Sequence, residues 1–462
     1  MNRIRILASL IAVFGASSAL PTGLRAQDPT PEAKETAGAA TPSPVPAPTL
    51  PWDKTQGYLT EGMAWVVRDG AWGFIDQTGT VAVEPAWDKA EAFSEGLALV
   101  VRNGKYGFID KTGHVVIDLH WEEADSFSEG LARVDVDGKA GYIDRTGKIV
   151  IKPQWESAYK FKGGVASVSD SPKFVFPKKY GIIDKTGKPI MATRWQTDTF
   201  SQPPAFTEGV ARVSYDEHKI GYIDEQGHIL GRLQWDEAFD FSDGLARVRK
   251  GDKYGYVDKA GNVVAQPQWD SAKDFSEGVA FIEGSNKLWG LIDKTGKVIV
   301  EPHWTYVNTF SEGLAAAGTE GQGWGYISKR GELEIPQKWN VAADFSEGMA
   351  AVGHTIGGDL TGGDPTWGFI NSDGEEVIEL KYKEVSAFSE GLAAVETYVG
   401  DTLVWGFVDK QGTVVSEPQW DKVEAFSGGL AAVELEGKWG YIDRAGKLVG
   451  MPRKTDAAPP AK

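Results

Sequence analysis

Residues 87–117 read WDKAEAFSEGLALVVRNGKYGFIDKTGHVVI, from Trp87 to Ile117. A Trp leads into F-S-E-G-L-A-x-V, then aromatic-Gly-aromatic-Ile-Asp, then a Gly-closed turn and a short apolar run. Eleven copies lie between about residue 50 and residue 450. The aromatic-Gly step falls at Trp72-Gly73, Tyr106-Gly107, Tyr180-Gly181, Tyr254-Gly255, Trp289-Gly290, Trp324-Gly325, Trp367-Gly368, Trp405-Gly406 and Trp439-Gly440. Ala140 and Ile220 stand in the aromatic place in the other two copies. Successive steps are 34 to 43 residues apart, with a base unit of about 34, the mark of stacked repeats.

The pattern within the unit is β, not helical. Ala98 and Val100 share one face, and Tyr106 and Phe108 share one, a period of two. Asn103-Gly104 is a two-residue hairpin signal, and Asp110-Lys-Thr-Gly113 opens with Asp and closes with Gly as short loops do. Each unit therefore reads as a three-stranded antiparallel meander followed by a link such as Trp121–Glu129. Two architectures accommodate such units. Propellers typically have 4 to 8 four-stranded blades, so a single ring of eleven exceeds the usual range. The expected fold is all-β: an open β-solenoid or superhelix of eleven units with atypical end units as caps, one or two propeller-like rings being the alternative.

The fixed positions carry physical meaning. The Gly of F-S-E-G recurs eleven times, from Gly62 to Gly429, which points to a positive φ or a close backbone approach. The Ala two residues later, from Ala64 to Ala431, marks a tight packing site. The Gly after the aromatic lies mid-strand, where a neighbouring aromatic ring is expected to cover the bare backbone. The link aromatic is Trp at positions 52, 87, 121, 155, 195, 235, 269, 304, 339 and 420 and Tyr at 382. Rings so tightly tied to the unit are expected in the core rather than displayed to a ligand.

The ends differ from the body. Arg3 and Arg5, the apolar run 6–20 and Leu24-Arg25-Ala26 form an export signal over residues 1–26. Residues 27–50, rich in Pro, Ala and Thr, read as a disordered spacer, and residues 451–462 as a frayed tail. The repeats occupy 51–450. With 48 basic and 65 acidic residues the net charge is −17; loss of residues 1–26, with three Arg and no acid, would bring it near −20. Such a chain has no electrostatic footprint for nucleic acid or an anionic membrane surface. The complete lack of Cys excludes disulfides and thiol catalysis.

The unit resembles the WG-containing (KWG) repeat, on Gly-Lys-Trp-Gly-Tyr-Ile-Asp at 437–443 and its counterparts, F-S-E-G-L-A-x-V and Asp-x-x-Gly. Ala140 and Ile220 depart from it at the ring. The resemblance implies a β-rich binding or scaffolding surface, often on exported bacterial proteins, with no catalytic residues to carry over.

The residues themselves offer no enzyme. The repeated Glu95-type and Asp110-type carboxylates form a lattice of equivalents, whereas a glycosidase needs one pair with diverging pKa values. The Asp is expected to bond amides of its own turn. Asp-Lys-Thr-Gly supplies one carboxylate per loop, too few for calcium. The histidines (His114, His120, His218, His228, His303 and His354) lack metal-ligand spacing. No metal and no cofactor are expected. Four insertions break the period: Ser169–Lys179, Gln196–Phe206, Gly353–Thr366 and Thr397–Val404. In repeat arrays such insertions are loops, frequently on a binding face. They make Phe174, Phe176, Phe200, Phe206, His354, Asp359, Asp364 and Tyr398 the candidate partner-binding residues. The expected function is an exported, periplasmic, cell-surface or extracellular non-enzymatic repeat protein that binds a protein or cell-envelope component. The alternative is a carbohydrate-binding or glycan-hydrolysing module using its aromatic and acidic surface residues.

Overall fold

The computed structural model describes residues 49–450, apart from 173–177, 196–203, 215–218 and 356–364. These residues form eleven four-stranded antiparallel sheets, each a simple meander in chain order. The blades span 54–87, 89–121, 123–155, 157–195, 206–235, 237–269, 271–304, 306–339, 341–382, 384–420 and 422–449. Blade 2 is representative, with strands Lys89–Ala90, Ala98–Arg102, Lys105–Ile109 and Val115–Trp121.

Each blade thus has one strand more than the three read from the sequence. The extra strand is the two-residue piece inside the link, too short to show a period of two. It reaches the second strand through the E-G turn, where Glu95 and Gly96 both have positive φ, 55° and 79°. Ser94 and Leu97 exchange backbone hydrogen bonds of 2.9 and 3.2 Å across it, a primed hairpin turn. The positive φ expected of this Gly is present in every blade, from Gly62 to Gly429.

The aromatic-Gly step lies beside a bulge. Trp72 pairs with Trp87, whereas Phe74 pairs with Val83, so the fourth strand holds extra residues between the two rungs. A Cβ on Gly73 would strike Val83 O and Pro85 N. The glycine is therefore required by bulged backbone, not by the neighbouring ring expected from the sequence. Pro occupies this bulge at positions 85, 153, 267, 302 and 418.

The core lies between blades. Each of the eleven hydrophobic clusters joins two successive blades; Phe108, Ile117 and Trp121 of blade 2 pack with Phe127, Ala132 and Val134 of blade 3. The link aromatics are buried throughout, from Trp52 at 0% to Trp155 and Trp269 at 7% exposure. Their expected place in the core holds. The F-S-E-G Phe meets the preceding blade's third strand edge-on, as in Phe74–Phe93 and Tyr326–Phe345, both at 4.8 Å.

The array closes, which overturns the open solenoid in favour of one propeller-type ring of eleven blades. The eleventh blade ends its fourth strand at Leu448–Val449, and the start of the chain supplies the missing end. Trp52 N donates to Trp439 O (3.1 Å) and Trp439 N to Trp52 O (2.7 Å). Leu50 covers Gly440 where other blades have the bulge. Tyr441 Oη donates to Gln56 O at 2.6 Å, as Tyr142 does to Tyr159 O at 2.7 Å in an interior seam. The two units expected to be caps are thus halves of one joint. Each blade's apolar flank then has a neighbour, which an open array denies its end units.

This closure makes Trp52 a core residue. Trp52→Ala should lower stability by about 3–5 kcal/mol, the cost of truncating a buried Trp. A shift of the urea midpoint close to that of Trp269→Ala is expected; an unchanged midpoint would mean that the ends are not joined.

Candidate functional site

The meander gives the ring two unlike faces. One carries the E-G turns and the Asp-x-x-Gly loops. The other carries the hairpins between second and third strands, together with the Trp-Asp link, because Asp88 Oδ2 accepts from Asn103 N at 2.6 Å.

On the turn face the sequence signature becomes a latch. Glu61 Oε2 of blade 1 accepts from Gly96 N of blade 2 at 2.9 Å, and Lys111 of blade 2 donates back to Glu61 O at 2.6 Å. The arrangement continues as Glu95 to Gly130, Glu129 to Gly163 and Gly164, and Glu208 to Gly244. It runs on through Asp243 to Gly278, Glu277 to Gly313 and Glu312 to Gly348. Glu347 to Gly391 and Glu390 to Gly429 complete nine latched seams. Lys185, Lys259, Lys294, Lys329 and Lys410 pair with the latch carboxylates, and Arg444 bonds Glu390 O at 2.6 Å. Each acidic residue of this set from Glu61 to Glu390 sits at φ 52–55°, a conformation rare for Glu. Its bonds to the next blade hold it there.

The electrostatics follow from these bonds. Burial pushes the Glu347 carboxyl up, but the N–H of Gly391, Lys410 and the N–H of Glu390 together hold it below the ordinary value. Glu129, Glu208 and Asp243 are likewise lowered against burial by amides and a Lys. The Asp of Asp-x-x-Gly serves its own turn, as the sequence indicates. Asp110 Oδ1 accepts from Thr112 Oγ1 (2.6 Å), Thr112 N (2.9 Å) and His114 N (3.1 Å). Its carboxyl is lowered chiefly by the Thr112 hydroxyl, against burial. Sequence reasoning placed the Glu in the repeat but missed its reach across the seam. The signal was available: where Gly163 and Gly428 replace the Glu, the facing Lys position holds Glu225 and Gln77.

Three of the four insertions lie at hairpins of the hairpin face. Ser169–Lys179 joins the second and third strands of blade 4, and Ser169 Oγ bonds Lys179 O at its base (2.7 Å). Gln196–Phe206 begins beside it, since Trp195 pairs with Tyr180, and ends beside the E-G turn, where Phe206 pairs with Ala211; residues 196–203 lie outside the described residues. Gly353–Thr366 lies in the hairpin of blade 9. The fourth lengthens the hairpin of blade 10 to Leu392–Val399 and Thr402–Asp409. Tyr398 is 54% exposed at its tip, beside Val399 and Leu403. His354 Nδ1 lies 3.1 Å from Asn340 Oδ1 on the same face. Phe206 is different. It takes the core Phe position of blade 5, 5% exposed among Ile182, Met191 and Trp195, so it offers no surface contact. Phe174, Phe176, Phe200, Asp359 and Asp364 lie outside the described residues.

Among the described residues, recesses accompany these features. One of about 490 Å³ opens on the turn face between blades 4 and 5, lined by Gly163, Asp184, Lys188, Ile190 and Glu225. A more apolar one of about 290 Å³ lies at the same seam, with Tyr159, Phe161 and Pro204. Another, about 370 Å³, is bounded by Arg247, Lys273 and Asp274. Among the described residues no three His, Cys, Asp or Glu side chains are grouped to hold a metal ion.

Nine stretches match the family described as the WG containing repeat: 72–106, 106–139, 141–170, 220–254, 254–287, 289–321, 324–353, 367–397 and 405–439. The chain belongs to this family. No curated protein matches the sequence significantly. Solved structures similar to this WG-repeat chain include a eukaryotic initiation factor, at 10% identity and TM-score 0.39, covering 73% of this chain and 96% of that one. The computationally designed Ika8 protein is similar at 15% identity and TM-score 0.27, covering 70% and 93%. BamB from Moraxella catarrhalis gives 11% identity and TM-score 0.28, covering 61% and 98%. Similarities at this level locate no site in the WG-repeat ring.

The latch predicts a pH dependence. Depressed folded-state pKa values stabilise the ring above the unfolded value, about 4.3 for Glu, and that contribution is lost as pH falls through the folded values. At pH 7, Glu347→Ala should cost about 1 kcal/mol, the low end for two amides left to water on a partly exposed face. Thermal melting should show the gap to wild type narrowing below pH 4; a gap that is constant with pH would refute the charged latch.

Proposed function

We propose that this WG-repeat ring is an exported, non-enzymatic binding scaffold whose hairpin face receives a protein partner. The observation that carries the reading is that three insertions lie at hairpins of one face, while the other face keeps nine regular latches. Lengthening hairpins on one face leaves the seams of the other untouched, which is how a rigid ring acquires a specific surface. The exposed tip of Tyr398, Val399 and Leu403 supplies apolar contact area, and such area is typical of interface anchors. Export rests on residues 1–26. The glycan reading loses its main support, because the link aromatics that would stack on sugars are buried between blades.

Replacing residues 356–364 by a two-residue turn, together with Tyr398→Ser, tests the reading. Affinity capture from the native envelope should recover a partner with wild type and lose it with this variant, with melting temperature unchanged. Equal capture by both would move the partner off this face. Saturable quenching of Trp fluorescence by cell-wall glycans would restore the other reading.

A further inference from the structure

Two seams of the ring lack the latch, and they lack it differently. At the closing seam Gly428 replaces the Glu, and Leu59 of blade 1 packs over it, 3.3 Å from where its Cβ would be. That seam is tied instead by Trp52, Asp53 and Tyr441. The seam between blades 4 and 5 is bridged deeper in, where Ser167 Oγ donates to Pro204 O at 2.8 Å, but among the described residues nothing replaces the latch on its turn face. Gly163 stands in place of the Glu, and Glu225 stands where eight other blades carry Lys or Arg, blade 1 having Gln77 and blade 9 Ser372. The charges are inverted. Instead of a cation reaching back to a carboxylate, a carboxylate reaches back over a glycine, and a side chain on Gly163 would collide with Glu225 Oε1.

The site left behind is the recess of about 490 Å³. In the neighbouring seams this position holds a cation from the chain itself: Lys185 on Glu129, and Lys259 on Glu208. Here the described residues place no Lys or Arg at that position, which Glu225 occupies. Of the other charged groups lining the recess, Asp184 is engaged by its own turn and Lys188 stands close to it. Asp184 Oδ1 accepts from Thr186 N and Oγ1 and from Lys188 N, and the Lys188 charge is among the causes that lower its carboxyl. The Glu225 carboxylate and the Gly163 carbonyl, the counterpart of the Glu61 carbonyl that Lys111 bonds, remain as acceptors. Val165, Pro189 and Ile190 form an apolar wall beside them.

We propose that this recess binds a lysine or arginine side chain of a partner polypeptide, its cationic head on Glu225 and Gly163 O and its methylene stem along Val165, Pro189 and Ile190. The visitor takes the place that the chain's own Lys fills elsewhere in the ring. A single free carboxylate with one carbonyl suits an ammonium or guanidinium and is too sparse for calcium. The site lies on the face opposite the three hairpin insertions, so it stands or falls independently of the hairpin-face reading.

The test restores the regular seam. In Gly163→Glu/Glu225→Lys both positions match the latched blades, where Glu at this φ is the norm, so the variant should fold and melt at or above the wild-type temperature. Titration calorimetry at low salt with tetra-arginine and tetra-lysine peptides, and uncharged tetra-citrulline as control, reads the site. Wild type should bind the basic peptides at least about tenfold more tightly than the double variant, the scale of one lost, partly desolvated ion pair. Glu334→Lys, on an exposed outer strand, makes the same charge change as Glu225→Lys and should retain wild-type binding. Equal affinity of wild type and double variant, or an equal loss in Glu334→Lys, would reduce the effect to general acidity and overturn the proposal. Capture of the hairpin-face partner should be unaffected in either case.

Discussion

Every blade has an apolar flank that only the next blade can bury. A three- or four-stranded meander of about 34 residues is too small for a core of its own. The link aromatic (Tyr382 in blade 9, Trp52 completing blade 11, Trp elsewhere), the Phe before the E-G turn and the Ala of the second strand therefore face a seam rather than the blade's interior. Eleven such seams make up the core, and ring closure follows from the same need. Had the array stayed open, Trp52, Ala64, Val66 and Ile75 at one end and Ala432 and Tyr441 at the other would face water. The closing seam buries all six in one cluster.

Much of this was legible in the sequence, for definite reasons. The β assignment came from period-two runs and Asn-Gly turns, which are local signals. The E-G glycine and the Asp of Asp-x-x-Gly came from backbone requirements, also local. The two-residue strand was not legible, since Lys89-Ala90 has no periodicity of its own. Closure was hidden because its parts lie about 400 residues apart. Even so, Trp52 precedes the first blade and no Trp follows Leu448–Val449, a displacement that amounts to a strand shared between the ends.

The candidate surface was legible only in outline. Insertions can be counted from spacing, but the face that the hairpin insertions share depends on the meander's handing of alternate turns to opposite ends. Phe206 shows the limit of composition. An aromatic among prolines read as a contact, yet it fills the core position that Phe93 and Phe127 fill elsewhere. The latch shows the converse. A repeated Glu read as one element of a lattice is instead a specific bond to the next blade, and its two exceptions mark the seams that differ.

The bulge beside the aromatic-Gly step of the first ten blades reaches further than its own blade. Fourth strands carry solvent-exposed aliphatics such as Val115, Val116, Ile149, Val150 and Val414, and flat edges of that composition invite other chains to add strands. Here the edge bends at the bulge, and Pro85, Pro153, Pro267, Pro302 and Pro418 remove an amide donor at that point. The irregularity that obliges a glycine on the third strand thus also spoils the fourth as a template. A molecule ringed with sheet edges can thereby remain a discrete particle rather than the seed of a fibre.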